Sequence, residues 1–144
     1  MLSHDWIAAR IPHQGSMCLL NTVLEWNQQH IVCDAIGHGA PDHPLRAFGR
    51  LGAAVGVEYA AQAMAVHGAL LASGSAVPSR GYLTSVRGLS LYVERLDDLP
   101  GPIRVRAECL SGDARMVLYR FELEHAGVSL LAGRASVVLD AQAP

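Results

Sequence analysis

Charge is scarce in this chain. Only 17% of its 144 residues are charged, and their formal sum is −2. A nucleic-acid binder needs a basic face, and no such excess exists here. Aromatic residues make up 6%, too few for a platform on which bases stack. The three cysteines, Cys18, Cys33 and Cys109, are an odd number without metal-ligand spacing. Free thiols in a reducing compartment are therefore expected, with a catalytic cysteine as the alternative. There is no H-E-x-x-H, so no metal is expected, and neither a G-x-S-x-G elbow nor a phosphate loop. The opening residues, MLSHDWIAARIPHQG, lack the apolar centre of a signal peptide. No run qualifies as a membrane span. A cytoplasmic location is the expectation.

What the chain does have is apolar residues, 51% of the total, and a length that suits one domain, residues 1–144, with its own core. Residues 17–26 and 30–36 read as two strands with a tight turn at Asn27, Gln28 and Gln29 between them. Residues 37–50 contain Gly37, Gly39, Gly49, Pro41 and Pro44, and read as a loop. Residues 51–71 predict a long helix, and 72–81 a second loop. Strand patterns follow at 82–94, 103–110, 115–125 and 128–139, with turns at Ser111-Gly112-Asp113 and Ala126-Gly127. Two strands, one helix and about four more strands predict an α+β fold, an antiparallel sheet with a helix on one face.

One charge sits inside the helix: Glu58 in LGAAVGVEYAAQAMAVHGALL. A helix apolar nearly all round is buried, and a carboxylate is seldom buried without a partner. Glu58 is therefore either paired structurally, with Arg46 or Arg50, or placed where a carboxyl group performs chemistry. Gln62 lies one turn further on the same face, where it either orients Glu58 or bonds a neighbouring backbone group. His67 falls on another face and reads as structural or surface, like His4, His30 and His125.

Three segments carry a resemblance. Ile11-Pro12-His13 runs into Met17-Cys18-Leu19-Leu20-Asn21-Thr22-Val23. Val57-Glu58-Tyr59-Ala60-Ala61-Gln62 sits in the helix. Tyr82-Leu83-Thr84-Ser85-Val86-Arg87 precedes Arg95-Leu96-Asp97-Asp98. In this order, over residues 10–139, they resemble the hot-dog 3-hydroxyacyl-acyl carrier protein dehydratases. Pro44-Leu45, Gly49-Arg50-Leu51, Glu58 and Ala61-Gln62-Ala63-Met64 are similar to the divergent branch associated with aryl polyene gene clusters. The resemblance implies a hot-dog fold, five to six strands wrapped around one long central helix. It also implies an enzyme working as a homodimer or larger hot-dog oligomer, or as a heterodimer with another dehydratase.

Known dehydratases carry H-F-P-G-x-P-x-x-P-G before the helix, and its histidine is the base. Here the stretch is His43-Pro44-Leu45-Arg46-Ala47-Phe48-Gly49-Arg50-Leu51-Gly52, with no histidine at Phe48 or Gly49. The carboxylate half of the pair carries over to Glu58, whose burial would help it hold a proton. For the base, His13 is the first candidate, with His38 and His43 as alternatives. The family's site is built from two subunits, so Glu58 would come from one chain and the histidine from the other. Backbone N–H groups at the helix start would hold the thioester oxygen, with Gly52 and Gly56 allowing close approach. Gln62 and Leu83 complete the expected substrate contacts. The substrate would arrive on acyl carrier protein or coenzyme A, with no cofactor beyond the phosphopantetheine arm. A hot-dog thioesterase and a non-catalytic hot-dog subunit are the competing expectations.

Overall fold

The computed structural model describes residues 1–72 and 80–140. A short helix, α1 (His4–Ala8), is followed by one turn of 3-10 helix at Gly15–Met17, then β1 (Thr22–Trp26) and β2 (His30–Ala35). A loop leads to a 3-10 turn at Ala53–Val55 that runs straight into α2 (Gly56–Leu71). Four strands follow: β3 (Arg80–Leu91), β4 (Ile103–Gly112), β5 (Met116–His125) and β6 (Val128–Asp140). They form one six-stranded sheet in the order β1-β2-β4-β5-β6-β3, antiparallel at every pairing. Among the described residues, no helix is long and apolar enough to cross a membrane.

Alternation decides which face of the sheet meets α2. Ile103, Val105 and Ala107 of β4, and Tyr119, Phe121 and Leu123 of β5, are buried on the helix side, while Arg104, Glu108 and Arg120 face out. The helix contributes small residues, Ala60 and Ala63, with Tyr59, Met64 and Val66, all buried. Gly56 sets how closely the helix approaches. A Cβ there would lie 2.6 Å from Leu131 Cδ2 and 3.1 Å from Leu123 Cδ2. The Ala126-Gly127 turn has φ of 50° and 81°, the two positive values that a two-residue hairpin of matching twist requires.

The α+β architecture of six antiparallel strands around one helix is the arrangement expected from the sequence. Three local readings change. Residues 17–21 are not strand: Gln62 accepts from Leu19 N–H (2.9 Å) and donates to Met17 C=O (2.7 Å), and the segment reaches β2 at its end, where Asn21 N–H donates to Asp34 C=O (2.8 Å). Residues 4–8 form a helix that the pattern did not announce, capped by Ser3 and seated by buried Ile7. β3 stops at Leu91 rather than at 94, and its Leu89 and Leu91 are exposed. The sheet continues on one side of β3 only, to β6. Of the loop expected at 72–81, residues 73–79 lie outside the described residues.

Histidines pin the ends of this framework. His67 Nε2–H donates to the Asn27 carbonyl (2.8 Å), and its Nδ1 accepts from the Tyr119 hydroxyl (2.7 Å). The helix is thereby tied to the β1–β2 turn, the structural role expected of it. His4 bonds the Leu20 carbonyl and His125 that of Pro100.

Candidate active site

Glu58 occupies the first turn of α2, where the positive end of the helix dipole favours a carboxylate. Its Oε1 lies 3.1 Å from His13 Nε2. Neither Arg46 nor Arg50 forms an ion pair with Glu58 among the described residues, and Arg46 turns away. Its guanidinium bonds Asp97 and the carbonyls of Gly39, Ala40 and Gly49. Glu58 is also less enclosed than the apolar helix implied. Some 36% of its side chain stays exposed, beside 25% for His13, so the pair is open to a small molecule.

His13 sits between α1 and the 3-10 turn at Gly15–Met17, on a segment with no sheet bonds of its own. Gln62 supplies the anchorage. Since Leu19 N–H donates to it, the atom facing Leu19 is the amide oxygen, and the NH2 group faces Met17 C=O and Glu58 Oε1 (2.7 and 3.4 Å). One buried amide thus satisfies two backbone groups and donates to the carboxylate. Both sequence alternatives for Gln62, orienting Glu58 and bonding the backbone, are realised together. Glu58 Oε1 receives His13 and Gln62, while Oε2 takes part in no hydrogen bond among the described residues. His13 Nδ1 is buried and has no partner among them.

The other histidine candidates are bonded elsewhere. His43 Nδ1 accepts from Leu45 N–H (3.1 Å), which places its proton on Nε2, bonded to the Tyr59 hydroxyl (2.9 Å). Burial holds its pKa below the ordinary histidine value, with the His38 and Arg46 charges acting in the same direction. His38 Nε2–H donates to the Leu99 carbonyl (2.9 Å). Neither bonds Glu58. One expectation changes outright: the histidine and the carboxylate meet within a single chain rather than across two, because the N-terminal segment folds back over the start of α2. The cysteine alternative also recedes. Burial, helped by Asp34, pushes the Cys33 thiol up to about 12, and a thiol so held is unreactive at neutral pH.

The expected substrate contacts divide. Gly52 leads into the 3-10 turn without a side-chain cap, with Ala53 N–H bonded to the Glu94 carbonyl (3.1 Å). Gly56 points into the sheet against Leu131 and Leu123, so its missing side chain serves helix packing rather than substrate approach. Leu83 lies on β3 with 40% of its surface exposed. Two concavities lie away from the His13–Glu58 pair. One of about 350 Å³ is lined by Leu24, Asp34, Arg104 and Glu124, and one of about 250 Å³ includes Arg106 and Arg120.

Sequence reasoning quoted Asp97 only as part of a motif and did not foresee its place beside the site. Its carboxylate accepts from Leu51 N–H (2.9 Å), Arg46 (3.3 Å) and Arg95 (2.5 Å). Arg95, before all, holds the Asp97 pKa well below the usual carboxylate range. The stretch entering the helix is thereby braced. The available signal was Arg95 two residues before Asp97, while Arg46 is brought there only by the fold.

No curated protein matches the sequence. Among solved structures, the chain is similar to the dehydratase heterocomplex ApeI:P from Xenorhabdus doucetiae, with a TM-score of 0.82 and 21% identity over 99% of this chain and 93% of that one. A thioesterase from Haemophilus influenzae matches with a TM-score of 0.66 and 10% identity, covering 97% and 92%. A thioesterase mutant from Staphylococcus aureus matches at 0.62 and 12%, covering 83% and 92%. These identities establish a shared fold. The sequence goes further: the ApeP-like family model, described as ApeP dehydratase, matches residues 6–143, and the chain belongs to that dehydratase family.

Proposed function

We propose that this dehydratase converts 3-hydroxyacyl thioesters, carried on the phosphopantetheine of acyl carrier protein or coenzyme A, into trans-2-enoyl thioesters in fatty-acid or polyene-type biosynthesis. The observation that carries the reading is the 3.1 Å contact between His13 Nε2 and Glu58 Oε1. His13 removes the proton from C2. The electron pair of that C–H bond becomes the C2=C3 double bond. Glu58, in the form of the pair that places a proton on it, delivers that proton to the hydroxyl at C3, which leaves as water. His13 then carries one proton too many and Glu58 one too few, and transfer across their contact restores both. Backbone N–H groups at the start of α2 steady the charge that develops on the thioester oxygen. No cofactor enters beyond the pantetheine arm.

A single chain exposes the pair on one side, and a second hot-dog subunit would close the site. The likeness to a chain of a dehydratase heterocomplex supports pairing, with a second copy or with another dehydratase subunit. Mass spectrometry after incubation with a short 3-hydroxyacyl carrier-protein thioester tests the reaction. Loss of one water is expected. Release of free hydroxy acid would replace the reading with a thioesterase, and no change by a folded protein would replace it with a non-catalytic subunit.

A further inference from the structure

Leu51, Gly52 and Ala53 form the last extended stretch before α2, and the residues after β3 grip it at both ends. Leu96 N–H donates to the Leu51 carbonyl (2.8 Å) and Ala53 N–H to the Glu94 carbonyl (3.1 Å). Gly52 and Arg95 face each other between those two bonds. In such a pairing the N–H of the middle residue points away from the partner segment. Gly52 N–H, and Ala54 N–H one turn before Glu58, take part in no hydrogen bond among the described residues. Ala54 is exposed and Gly52 partly so. These two are the free donors at the helix start that a thioester oxygen would meet.

Asp97 fixes where this stretch lies. Its side chain is 3% exposed, and four donors meet its four lone pairs. Oδ1 accepts from Leu51 N–H (2.9 Å) and Arg95 Nε–H (3.1 Å). Oδ2 accepts from Nη2 of Arg95 (2.5 Å) and Nη2 of Arg46 (3.3 Å). Arg46 in turn holds the Gly49 carbonyl (3.1 Å), in a turn where Phe48 has φ of +53°. A phenylalanine in that region is strained and stays there only when its surroundings hold it. The carboxylate thus grips the incoming chain directly at Leu51 and, through Arg46, at Gly49. Two guanidiniums balance its charge, so it does not oppose negative charge arising on an oxygen nearby.

We propose that Asp97 is a positioning residue for the reaction: it holds the Leu51–Ala53 stretch so that Gly52 N–H and Ala54 N–H are aimed at the thioester oxygen. The inference rests on the reaction proposed above and deepens it by naming the side chain that sets the oxygen-binding donors. Asp97 itself touches no reacting atom. Its effect passes through the backbone, where a displacement of about 1 Å costs about 10²-fold in rate.

Infrared spectroscopy of a bound product, read beside steady-state kinetics, tests it. The probe is a short trans-2-enoyl pantetheine thioester with an isotopically labelled carbonyl, bound to the full chain as parent, D97N, D97A or V105A. Donors aimed at the oxygen weaken the C=O bond, so the parent should lower the carbonyl stretch relative to the free thioester. D97A is expected to lose most of that lowering and to reduce kcat by about 10- to 100-fold, with KM within about two-fold, since the interaction matures in the transition state. D97N keeps an oxygen for Leu51 N–H but sets an amide NH2 against the guanidiniums, and should fall between. Val105 is buried in the sheet core, so V105A lowers stability without touching the stretch and should keep the parent's carbonyl shift and kcat. A parent-like shift in D97A, or equal losses in V105A, would overturn the role of Asp97 and leave the reaction intact. If D97A does not fold, D97N decides alone, a parent-like shift overturning the inference. A parent that turns over no 3-hydroxyacyl thioester and leaves the stretch unmoved would overturn the reaction, and this inference with it.

Discussion

His13 Nε2 lies 3.1 Å from Glu58 Oε1 within one chain. The two come from segments remote in sequence, and the buried amide of Gln62 couples them by holding the backbone of residues 17 and 19 and donating to Glu58.

Glu58→Gln keeps the shape of the side chain and removes its proton-transfer capacity. Turnover of a 3-hydroxyacyl thioester is expected to vanish while the circular dichroism spectrum and melting temperature hold. His13→Ala is expected to slow the reaction by about 10²–10⁴, the usual contribution of a general acid or base. A near-normal rate for His13→Ala would move the base to His38 or His43.

Gln62→Leu leaves the Leu19 N–H and Met17 C=O without partners in a buried place. A loss of about 1–3 kcal/mol in urea unfolding is expected for each orphaned group. Activity should fall further than stability, because His13 lies just ahead of the released segment. A variant as stable as the parent would show that water or a backbone shift satisfies both groups.

Gly56→Ala introduces a Cβ within 2.6 Å of a Leu131 methyl. Crowding of this kind costs about 1–3 kcal/mol, more than the roughly 1 kcal/mol that alanine gains over glycine in a helix. The double variant Gly56→Ala with Leu131→Val should recover part of the loss in thermal unfolding. Recovery would locate the clash at Leu131, whereas a stabilised Gly56→Ala would show that the sheet gives way easily.

His67 sets a pH dependence. Burial, aided by His30, lowers its pKa, although the bond to Asn27 opposes that change. Below the unfolded value of about 6.5 the unfolded chain binds a proton that the folded site resists, so stability is full above that pH and declines beneath it. His43 acts in the same direction. Unfolding free energies from urea titrations run from pH 7.5 down to 5 should fall, by no more than about 1.4 kcal/mol per pH unit for each histidine. His67→Gln should fall less steeply. Parallel curves for the two proteins would remove His67 from this account.

The sequence by itself determined the α+β class, the strands from β4 to β6, the long helix, and the candidates Glu58, Gln62 and His13. The elements rest on local periodicity and Glu58 with Gln62 on the rarity of polar groups in an apolar helix, which are properties of neighbouring residues, whereas His13 rests on the family resemblance carried by Ile11-Pro12-His13. Tertiary structure decided the rest. Only the path of the N-terminal segment brings His13 to Glu58 in the same chain, and the Gln62 amide braces residues 17 and 19 as coil where a strand was expected. Gly56 reads as a site for substrate approach until Leu131 is seen beneath it. The alternation in β3 implies a buried face, yet its leucines stay exposed because the strand ends the sheet, a position that no local pattern records. Side-chain spacing encodes which face a residue takes. Which partner that face meets depends on how distant segments close upon one another.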